Sequence, residues 1–463
     1  MPVPFVKLML HSCQQNTVEP APQNANISRK DRKVSQQDGP GTFAKPELLA
    51  PAGSLEKAQI AFAYGADAVY AGGTNFSLRA SARNLNREEL AALCFSAHKL
   101  GRKVYVAVNT FARNRDLTAL PPYLEYLQDI QVDALILSDP GVLLLAKQWA
   151  PDVSLHLSTQ ANTTNSLSVA FWGKQGIRRV NLARELSYSE VQTIRKETAM
   201  ELEVFVHGAM CVSYSGRCLL SAILNRRSAN LGRCTQPCRW SYRLVEEKRP
   251  GQYFPIQQDQ SGTYIFNSKD LCLIEELDQL MELGIDALKI EGRMKGALYL
   301  ANVIRTYRQA IDHCCDAAGS YVVRRDWVDD LARVSHRPYT KGMLFPEPRE
   351  TTGDVSPSTS YVQTHTLAGI VRPFPESRWE PENVLLRNTT GWVCMEVRSP
   401  LKEGSVVEFL YPDGRTLPLT LNSFEDLLGN RLQVAHPNSW IRFPAPLEVF
   451  PLQVVSARRS RAA

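Results

Sequence analysis

Four cysteines in one short stretch carry the strongest chemical signal in the sequence. Cys211, Cys218, Cys234 and Cys238 are separated by six, fifteen and three residues. Thiolates are soft ligands that favour iron–sulfur clusters or zinc, and four of them suffice for either. The spacing differs from the double CxxC of a zinc ribbon, and Cys272 is a possible substitute ligand. The alternative is that these are free thiols packed as small hydrophobic side chains.

Basic and aromatic residues surround these cysteines. The residues predicted to contact RNA are Arg217, Arg226, Arg227, Arg239, Trp240 and Arg243. Arginine binds phosphate through paired hydrogen bonds, and aromatic rings stack on unpaired bases. The stretch therefore indicates an RNA-binding segment, with a solvated loop held by ordinary ion pairs as the alternative.

A thiol hydrolase is a second interpretation of the same stretch. Cys211 would be the nucleophile, and His207, four residues earlier, would be its base. This interpretation excludes Cys211 as a cluster ligand, since one thiolate cannot fill both roles. The sequence has no HExxH motif of a zinc protease and no GxSxG nucleophile elbow.

The predicted strands and helices that position these residues alternate regularly along the chain. Short apolar runs alternate with amphipathic helical stretches, which implies parallel strands joined by right-handed crossovers. The runs are ELLAPAG (47–53), AVYAGG (68–73), KVYVAVNT (103–110), ALILSDP (134–140), SLHLSTQ (154–160), RRVNLARE (178–185), LEVFVHGA (202–209) and DALKIEG (286–292). Eight such units in about 250 residues predict an α/β protein built on a (β/α)₈, TIM-like barrel. A doubly wound open sheet is the rival, weakened because no GxGxxG follows the first strand.

Polar residues at the carboxyl ends of these strands are candidates for the active site. The residues predicted to be catalytic are His207, Glu291 and Arg293, with the arginine holding a carboxylate. The residues predicted to bind substrate are Asn109, Gln160, Glu185 and Lys289, and Asp139 is a further candidate. Period-two alternation turns His207 and Glu291 towards the barrel mouth, and the glycine after each would allow a ligand to approach closely.

The 463 residues divide into several predicted regions. Residues 1–44, rich in Gln, Asn, Pro and Ser, are predicted to be a disordered extension. Residues 45–325 form the barrel, with a cysteine-rich insertion at 210–285 before the last strand. Residues 345–455 show short alternating runs typical of a small antiparallel, barrel-like β domain, and residues 456–463 form a basic tail.

Composition narrows the class of protein. The net charge is +6, but the two tails supply +5 of it, so an RNA contact would need a local basic patch. No apolar run is long enough to span a membrane, and the amino-terminal residues make a poor signal peptide. Ten cysteines in so long a chain suggest metal binding or chemistry rather than disulfides. We therefore expect a cytoplasmic protein with no membrane partner.

The cysteine motifs resemble those of a known family. HGAMCVSYSGRCLLS (207–221) and GRCTQPCRW (232–240) are similar to the signature of the collagenase-like peptidase family. So are ELLAPAGSLEKAQIAFAYGADAVYAGG (47–73), FNSKDLCLI (266–274), LKIEGRMK (288–295) and SHRPYTKGMLF (335–345). The resemblance covers about residues 45–455.

This resemblance implies a tRNA-modifying hydroxylase that forms 5-hydroxyuridine at the wobble position. It also implies prephenate as co-substrate, an unidentified electron donor, and an iron–sulfur cluster of the 4Fe–4S type. Cys211, Cys218 and Cys234 match the first three ligands of the family, and Cys238 is preferred over Cys272 as the fourth. A collagenase-like peptidase, and a non-catalytic RNA-binding factor with a structural metal, remain as alternatives.

Overall fold

The computed structural model describes a large part of the chain. The described residues are 44–74, 76–77, 84–211, 213–228, 230, 234–235, 237, 257–259, 262–264, 269–316, 320–346, 361–374 and 391–459. All but the last residue of the predicted extension 1–44 lies outside them, as do residues 238–256 of the cysteine-rich insertion. No helix within the described ranges is both long and apolar enough to cross a membrane.

A closed barrel of eight parallel strands forms the centre of the protein. Its strands are β1 (Glu47–Pro51), β2 (Ala68–Gly72), β3 (Lys103–Ala107), β4 (Ala134–Leu137), β5 (Ser154–Leu157), β6 (Arg179–Asn181), β7 (Glu201–Ala209) and β11 (Ala287–Ile290). The last strand, β11, pairs in parallel with both β1 and β7, which closes the ring. Each predicted run contains one of these strands, so the predicted TIM-like barrel is confirmed.

Helices enclose the barrel and follow its strands in alternation. They are α1 (Leu55–Ala63), α2 (Arg87–Lys99), α3 (Asn114–Leu117), α4 (Pro121–Asp129), α5 (Pro140–Trp149), α6 (Ser166–Lys174), α7 (Tyr188–Glu197), α8 (Leu220–Asn225), α9 (Leu277–Glu282) and α10 (Ala297–Asp316). Local signals begin several of them: Ser54 caps α1, and Asn86 with Glu89 forms a capping box on α2. Asp139 caps α5 by accepting hydrogen bonds from the backbone N–H groups of its first turn. Asp139, a candidate site residue in the sequence, therefore has a helix-capping role.

Strand β7 changes partners along its length. Its first part lies in the barrel beside β11, where Lys289 pairs with Phe205 and Ile290 with His207. Between these two pairs, β11 advances by one residue and β7 by two, so β7 carries a β-bulge at this point. Beyond the bulge, β7 pairs antiparallel with β10 (Asp270–Cys272), which lies outside the ring and in turn pairs with β12 (Tyr339–Thr340).

The carboxyl-terminal region is an antiparallel β domain, as predicted. Its main sheet has the order β17-β16-β22-β13-β14-β21-β18-β19. The strands are β13 (His365–Arg372), β14 (Trp392–Val397), β16 (Val406–Leu410), β17 (Thr416–Thr420), β18 (Phe424–Glu425), β19 (Arg431–Leu432), β21 (Trp440–Pro444) and β22 (Val454–Arg458). Two short strands, β15 (Leu401–Lys402) and β20 (Val434–Ala435), pair separately, and a hairpin of β8 (Gln257–Asp259) and β9 (Gly262–Tyr264) lies in the insertion. Strand β22 reaches Arg458, so the first part of the predicted tail 456–463 belongs to the sheet.

The β domain packs directly on the barrel helices. Tyr64 of α1 donates a hydrogen bond to the carbonyl of Leu410 and accepts one from the N–H of Val454. Arg305 of α10 is fully buried and forms an ion pair of 2.6 Å with Asp330 of α11 (Arg325–Arg333). Because apolar residues of both regions share one core, the barrel and the β domain form a single packed body.

Candidate active site

A cavity of about 300 Å³ lies at the carboxyl ends of the barrel strands, and we call it the mouth cavity. Its polar lining comes from the ends of β3, β5, β6 and β11. These residues are Asn109, Ser158, Gln160, Asn181, Arg184, Glu185, Lys289, Glu291 and Arg293. The loop after β7 supplies Cys211, Tyr214, Cys218 and Cys234. The predicted cysteine and substrate-binding residues thus meet at one site.

Hydrogen bonds within the loop after β7 position the three cysteines that line the mouth cavity. The Cys211 Sγ lies 2.9 Å from the Ser213 Oγ, two residues after it. The N–H of Cys218 donates to the side-chain oxygen of Asn230 at 3.2 Å. The residue after Cys234 donates its N–H to Ser221 on α8, which ties the two ends of this loop together. The loop therefore brings thiols that are distant in sequence to one cavity.

The thiols of the mouth cavity are chemically suited to a metal cluster, although the described residues alone form no ligand cage. Three thiols line one cavity, and sulfur is the donor that iron–sulfur clusters use. Within the described ranges, no three His, Cys, Asp or Glu side chains are grouped closely enough to hold a metal ion. The fourth predicted ligand, Cys238, lies outside those ranges, and its neighbour Pro237 lines the cavity. The cluster therefore stays a prediction.

Cys272, the substitute fourth ligand, lies elsewhere. It is on β10, outside the barrel ring, and its Sγ is 3.9 Å from the hydroxyl of Tyr307 on α10. Burial raises the pKa of Cys272 to about 11, so the thiol is protonated at neutral pH. Cys272 therefore does not line the mouth cavity, and Cys238 lies outside the described residues.

Glu185 lines the mouth cavity and also holds the cysteine loop. Its two carboxylate oxygens accept hydrogen bonds from the N–H and the hydroxyl of Ser215, each at 2.5 Å. Ser215 has a φ of 41°, in the left-handed region that an ordinary side chain rarely adopts, so the loop needs such an anchor. Glu185 therefore anchors the 3₁₀ turn Tyr214–Gly216, and its predicted role in substrate binding stays a prediction.

Asn109 and Gln160 form a pair of amides in the cavity. The Asn109 Nδ2 donates to the Gln160 Oε1 at 3.3 Å, and the same oxygen accepts a hydrogen bond from Ser158. The backbone carbonyl of Gln160 accepts a hydrogen bond of 2.9 Å from the Nε of Arg217. These amides lie where the sequence places them, and both can hydrogen-bond a ligand.

Lys289 joins the cavity to a group of buried charges below it. Its Nζ lies 2.7 Å from the Glu203 Oε1, and both side chains are almost completely buried. Arg179 lies 2.6 Å from Glu47, 2.9 Å from Glu201 and 3.7 Å from Glu203. We call these five residues the lower network. Burial opposes ionisation, but Arg179 outweighs it and lowers the pKa of Glu47, while Glu47 and Glu203 raise the pKa of Arg179.

Glu291 and Arg293 follow β11 and reach the mouth cavity as predicted. The hydroxyl of Tyr70 lies 3.4 Å from the Glu291 Oε2, and the Arg184 Nη2 lies 3.8 Å from the same oxygen. Arg293 is almost completely buried and donates to the hydroxyl of Ser77 at 2.9 Å. A carboxylate and two guanidinium groups thus share the cavity.

The prediction that His207 faces the barrel mouth is wrong. Its side chain is 1% exposed and lies between β7 and α10, with ring centroids 5.4 Å from Tyr307, 5.4 Å from Tyr339 and 5.9 Å from Tyr299. The β-bulge supplies the reason, because one extra residue reverses which face the next side chain occupies. Phe205, before the bulge, lines the cavity instead. Burial lowers the pKa of His207 to about 3, so the ring is neutral.

The predicted thiol–imidazole pair is not assembled. Cys211 lines the mouth cavity, while the His207 Nδ1 lies 3.4 Å from the hydroxyl of Tyr307 on the outer face of the barrel. Gly208 between them has a φ of 107°, and a Cβ there would lie 2.4 Å from the carbonyl oxygen of Glu291. This glycine therefore permits close packing of two strands and not the approach of a ligand, which corrects the expectation from the sequence.

The basic residues predicted to bind RNA are described only in part. Arg217, Arg226 and Arg227 are exposed, and Arg217 donates a hydrogen bond to the carbonyl of the cavity residue Gln160. Arg239, Trp240 and Arg243 lie outside the described residues. The ring of Tyr214 is 54% exposed and also lines the cavity. We call the exposed residues Tyr214, Arg217, Arg226 and Arg227 the rim.

Two cavity residues were missed in the sequence. Arg184 and Asn181 both lie in the run RRVNLARE, from which only Glu185 was selected. Alternation along β6 could have found Asn181, because Arg179 and Asn181 share the face that points into the barrel. Arg184 follows β6 at its carboxyl end as Arg293 follows β11, so the argument that found Arg293 could also have found Arg184.

Comparison with known proteins assigns the family. The chain matches the model described as "Peptidase family U32" over residues 53–354 and "Peptidase family U32 C-terminal domain" over residues 383–455. It is 36% identical to tRNA hydroxylation protein P1 of Bacillus subtilis, over 88% of this chain and 93% of that protein. It is also 36% identical to tRNA hydroxylation protein P of Escherichia coli, over 88% of this chain and 95% of that protein.

A relative with a different name matches less of the chain. The protein named "Collagenase" of Porphyromonas gingivalis is 34% identical over 64% of this chain and 72% of its own length. The matched models together cover the barrel, the cysteine loop and most of the β domain. With its barrel, its cysteine loop and these matches, the chain belongs to peptidase family U32.

Proposed function

We propose that this chain is a cytoplasmic enzyme of tRNA hydroxylation that forms 5-hydroxyuridine at the wobble position. Prephenate would be the co-substrate, and an iron–sulfur cluster of the 4Fe–4S type would be held by Cys211, Cys218, Cys234 and Cys238. The names of the two relatives with the longest matches described above support hydroxylation of tRNA. An electron donor of unknown identity would complete the reaction.

One observation carries this proposal: the mouth cavity places three thiols beside a group of cations. Cys211, Cys218 and Cys234 come from the loop, and Lys289 and Arg293 come from the last barrel strand and its end. A cluster bound by the thiols would supply electron transfer next to the substrate. A peptidase that used Cys211 would need a base, and the candidate His207 lies on the other side of β7.

The chain's own residues would bind and orient the small substrate. The 2.7 Å ion pair with Glu203 holds the Lys289 side chain in one conformation. Its charge is therefore already in place at the floor of the mouth cavity when a substrate binds. Glu291 accepts from Tyr70 and is placed to hold or move a proton at its Oε2. Asn109 and Gln160 would hydrogen-bond polar groups of the bound molecules.

The exposed rim would bind the tRNA. Sequence-specific RNA recognition commonly uses unpaired bases that stack on aromatic side chains, and the anticodon loop offers such bases. Tyr214 is exposed at the cavity and is held by the anchored turn, so its ring would stack on the target uridine. Arg217, Arg226 and Arg227 would contact the phosphates.

Nucleoside analysis of tRNA tests the function. Deleting the gene in the native host should remove 5-hydroxyuridine and its derivatives from bulk tRNA digests measured by mass spectrometry. The wild-type gene should restore them, and Cys211→Ser should not. Cys315→Ser, at a partly buried cysteine of α10, is the matched control and should restore them fully. Unchanged 5-hydroxyuridine in a strain that also lacks every homologous gene would refute the proposal.

Metal analysis tests the cluster separately. Anaerobically purified protein should contain iron and acid-labile sulfide in equal amounts and absorb visible light, and both should be lost in Cys218→Ser. Cys238→Ser should lose the cluster, whereas Cys272→Ser should keep it, since Cys272 lies outside the cavity. Zinc in place of iron, with tRNA binding but no modification, would instead support a non-catalytic RNA-binding factor.

A further inference from the structure

The guanidinium group of Arg217 is held by residues that follow two different barrel strands. Its Nε donates a hydrogen bond of 2.9 Å to the carbonyl of Gln160, which follows β5. Its central carbon lies 5.7 Å from the centre of the ring of Phe111, which follows β3. Within the described ranges, its two terminal nitrogens have no hydrogen-bond partner and no carboxylate partner.

A guanidinium group restrained in this way suits a phosphate. Its terminal nitrogens can donate two parallel hydrogen bonds to the oxygens of one phosphate group. Because the Nε bond and the ring contact already set its orientation, less entropy is lost when the anion binds. Arg217 is exposed, so the phosphate can belong to a large molecule.

The loop after β3 is joined to the cysteine loop next to Arg217. The N–H of Phe111 donates to the carbonyl of Asn230 at 3.4 Å, and the Oδ1 of Asn230 accepts from the N–H of Cys218. Asn109, two residues before Phe111, lines the mouth cavity. The loop after β3 therefore borders the cavity and supports the cysteine loop.

Two further arginines lie on the loop after β3. Arg113 and Arg115 are both exposed. Arg115 lies 3.7 Å from Asp116, whose carboxylate also accepts a hydrogen bond from the backbone N–H of Arg113. Together with Arg217, these residues carry three positive charges and one negative charge. Such a surface attracts polyanions.

An exposed aromatic ring lies on the other side of Arg217. The N–H of Arg217 donates to the carbonyl of Tyr214 at 2.9 Å, and the Nδ2 of Asn162 donates to the same carbonyl at 3.4 Å. Proteins bind unpaired nucleic-acid strands with aromatic rings that stack on the bases and cations that follow the backbone. Since the bases of a duplex are stacked on one another, the ring of Tyr214 favours an unpaired strand.

We propose that the loop after β3 is a second tRNA-binding element, which continues the rim and binds the unpaired strand of the anticodon loop. Arg217 binds a phosphate next to the nucleotide that stacks on Tyr214, and Arg113 and Arg115 bind phosphates farther along the same strand. Phe111 is a positioning residue, because its ring supports Arg217. The inference rests on the proposed function for the identity of the RNA.

Fluorescence anisotropy of the full chain with two labelled RNA probes tests the proposal. The probes are the anticodon stem–loop of a tRNA with uridine at the wobble position, and a fully paired RNA duplex with the same number of phosphates. Arg113→Gln with Arg115→Gln should weaken stem–loop binding by about 10-fold, as for two exposed ionic contacts. The slope of log K against log salt should decrease by about 1.4 for two phosphates of a single strand. Binding of the duplex should change far less.

Matched variants separate positioning from charge and binding from folding. Phe111→Leu removes the ring but no charge, so stem–loop binding should weaken by about 3-fold with an unchanged salt slope. Arg324→Gln with Arg325→Gln is the control for charge, since these exposed arginines also lie beside aspartates but belong to the start of α11. It should bind both probes as the wild type does. Each variant should keep the circular dichroism spectrum of the wild type.

The outcomes distinguish this inference from the proposed function. Equal stem–loop affinity in the double variant of Arg113 and Arg115 and in its control would overturn the inference and leave tRNA hydroxylation intact. An equal loss of affinity for the stem–loop and the duplex would also overturn it, because the loop would then attract any polyanion. Conversely, stem–loop binding that depends on this loop, in a protein that leaves tRNA unmodified, would uphold the RNA contact and refute the hydroxylase.

Discussion

The two ends of the barrel interior use charge in opposite ways. In the lower network, Arg179 lies within 4 Å of three carboxylates, and Lys289 caps the group from above. In the mouth cavity, the guanidinium of Arg184 stacks on an aromatic ring, and its closest approach to Glu291 is 3.8 Å. Both ends are built on the same strands, so the difference comes from side chains alone. Charges that neutralise one another hold a fold, and charges that face a cavity can bind a ligand.

Lys289 contacts both the lower network and the mouth cavity, so it links the two ends of the barrel interior. Its ammonium group is paired with Glu203 below and lies 4.6 Å from the centre of the Tyr70 ring, which also lines the cavity. A buried pair of this kind fixes the position of its members, since moving either one exposes an uncompensated charge. The lower network thereby gives the cavity a rigid floor.

Removing the centre of the lower network should have the largest effect on stability. Arg179→Met leaves three carboxylates without their shared partner, and we expect the free energy of unfolding to fall by about 3–5 kcal/mol. Urea unfolding followed by circular dichroism measures the change. Arg178→Met, at an exposed neighbour that also pairs with Glu201, should change it by less than about 1 kcal/mol. Similar losses of unfolding free energy in both variants would contradict the structural role of the buried lower network.

His207, which belongs to neither the lower network nor the mouth cavity, should affect stability at acid pH. The folded state holds His207 neutral with a pKa of about 3, against 6.5 for the free side chain. The unfolded chain therefore binds the proton first, and stability present above the unfolded pKa is lost as the pH falls below it. His207→Leu should remove a loss of about 1.4 kcal/mol per pH unit below about pH 6.5. An unchanged pH dependence of urea unfolding in this variant would show that His207 takes up a proton in the folded state.

Weakening the hydrogen bonds from Glu185 to the cysteine loop should affect only the stability of that loop. Glu185→Gln replaces a charged acceptor of two hydrogen bonds by a neutral one, at a cost of about 1–2 kcal/mol. Amide hydrogen exchange of residues 213–217 should become about 10-fold faster, with the barrel strands unaffected. Glu190→Gln, which alters the same type of Ser–Glu contact in the capping box of α7, is the control and should leave the loop unchanged.

The smallest change in stability should come from the rim. The double variant Arg226→Gln and Arg227→Gln should alter the free energy of unfolding by less than about 0.5 kcal/mol, because both side chains are exposed. Its tRNA affinity should fall, and the slope of log K against log salt should decrease by about 1 to 2. Arg324→Gln with Arg325→Gln on α11 is the matched control and should leave both values unchanged. An identical salt slope in both double variants would exclude the rim as the tRNA contact.

Much of the fold and part of the site could be predicted from the sequence. Each of the eight predicted runs contains a barrel strand, because a strand buried on both faces leaves a short apolar run that can be read locally. Lys289 lies on β11, where alternation holds, and Glu291 and Arg293 follow its carboxyl end, where the barrel fold predicts site residues.

The amino-acid sequence by itself determined the barrel, the cysteine loop and the family, because periodicity and motif spacing are properties of neighbouring residues. Only the tertiary structure decided which face His207 occupies, since the bulge depends on pairing between β7 and strands more than sixty residues away in the chain. It also decided that Glu185 anchors a loop and that Arg184 enters the cavity. These roles depend on contacts between distant segments, whose energies no local pattern records.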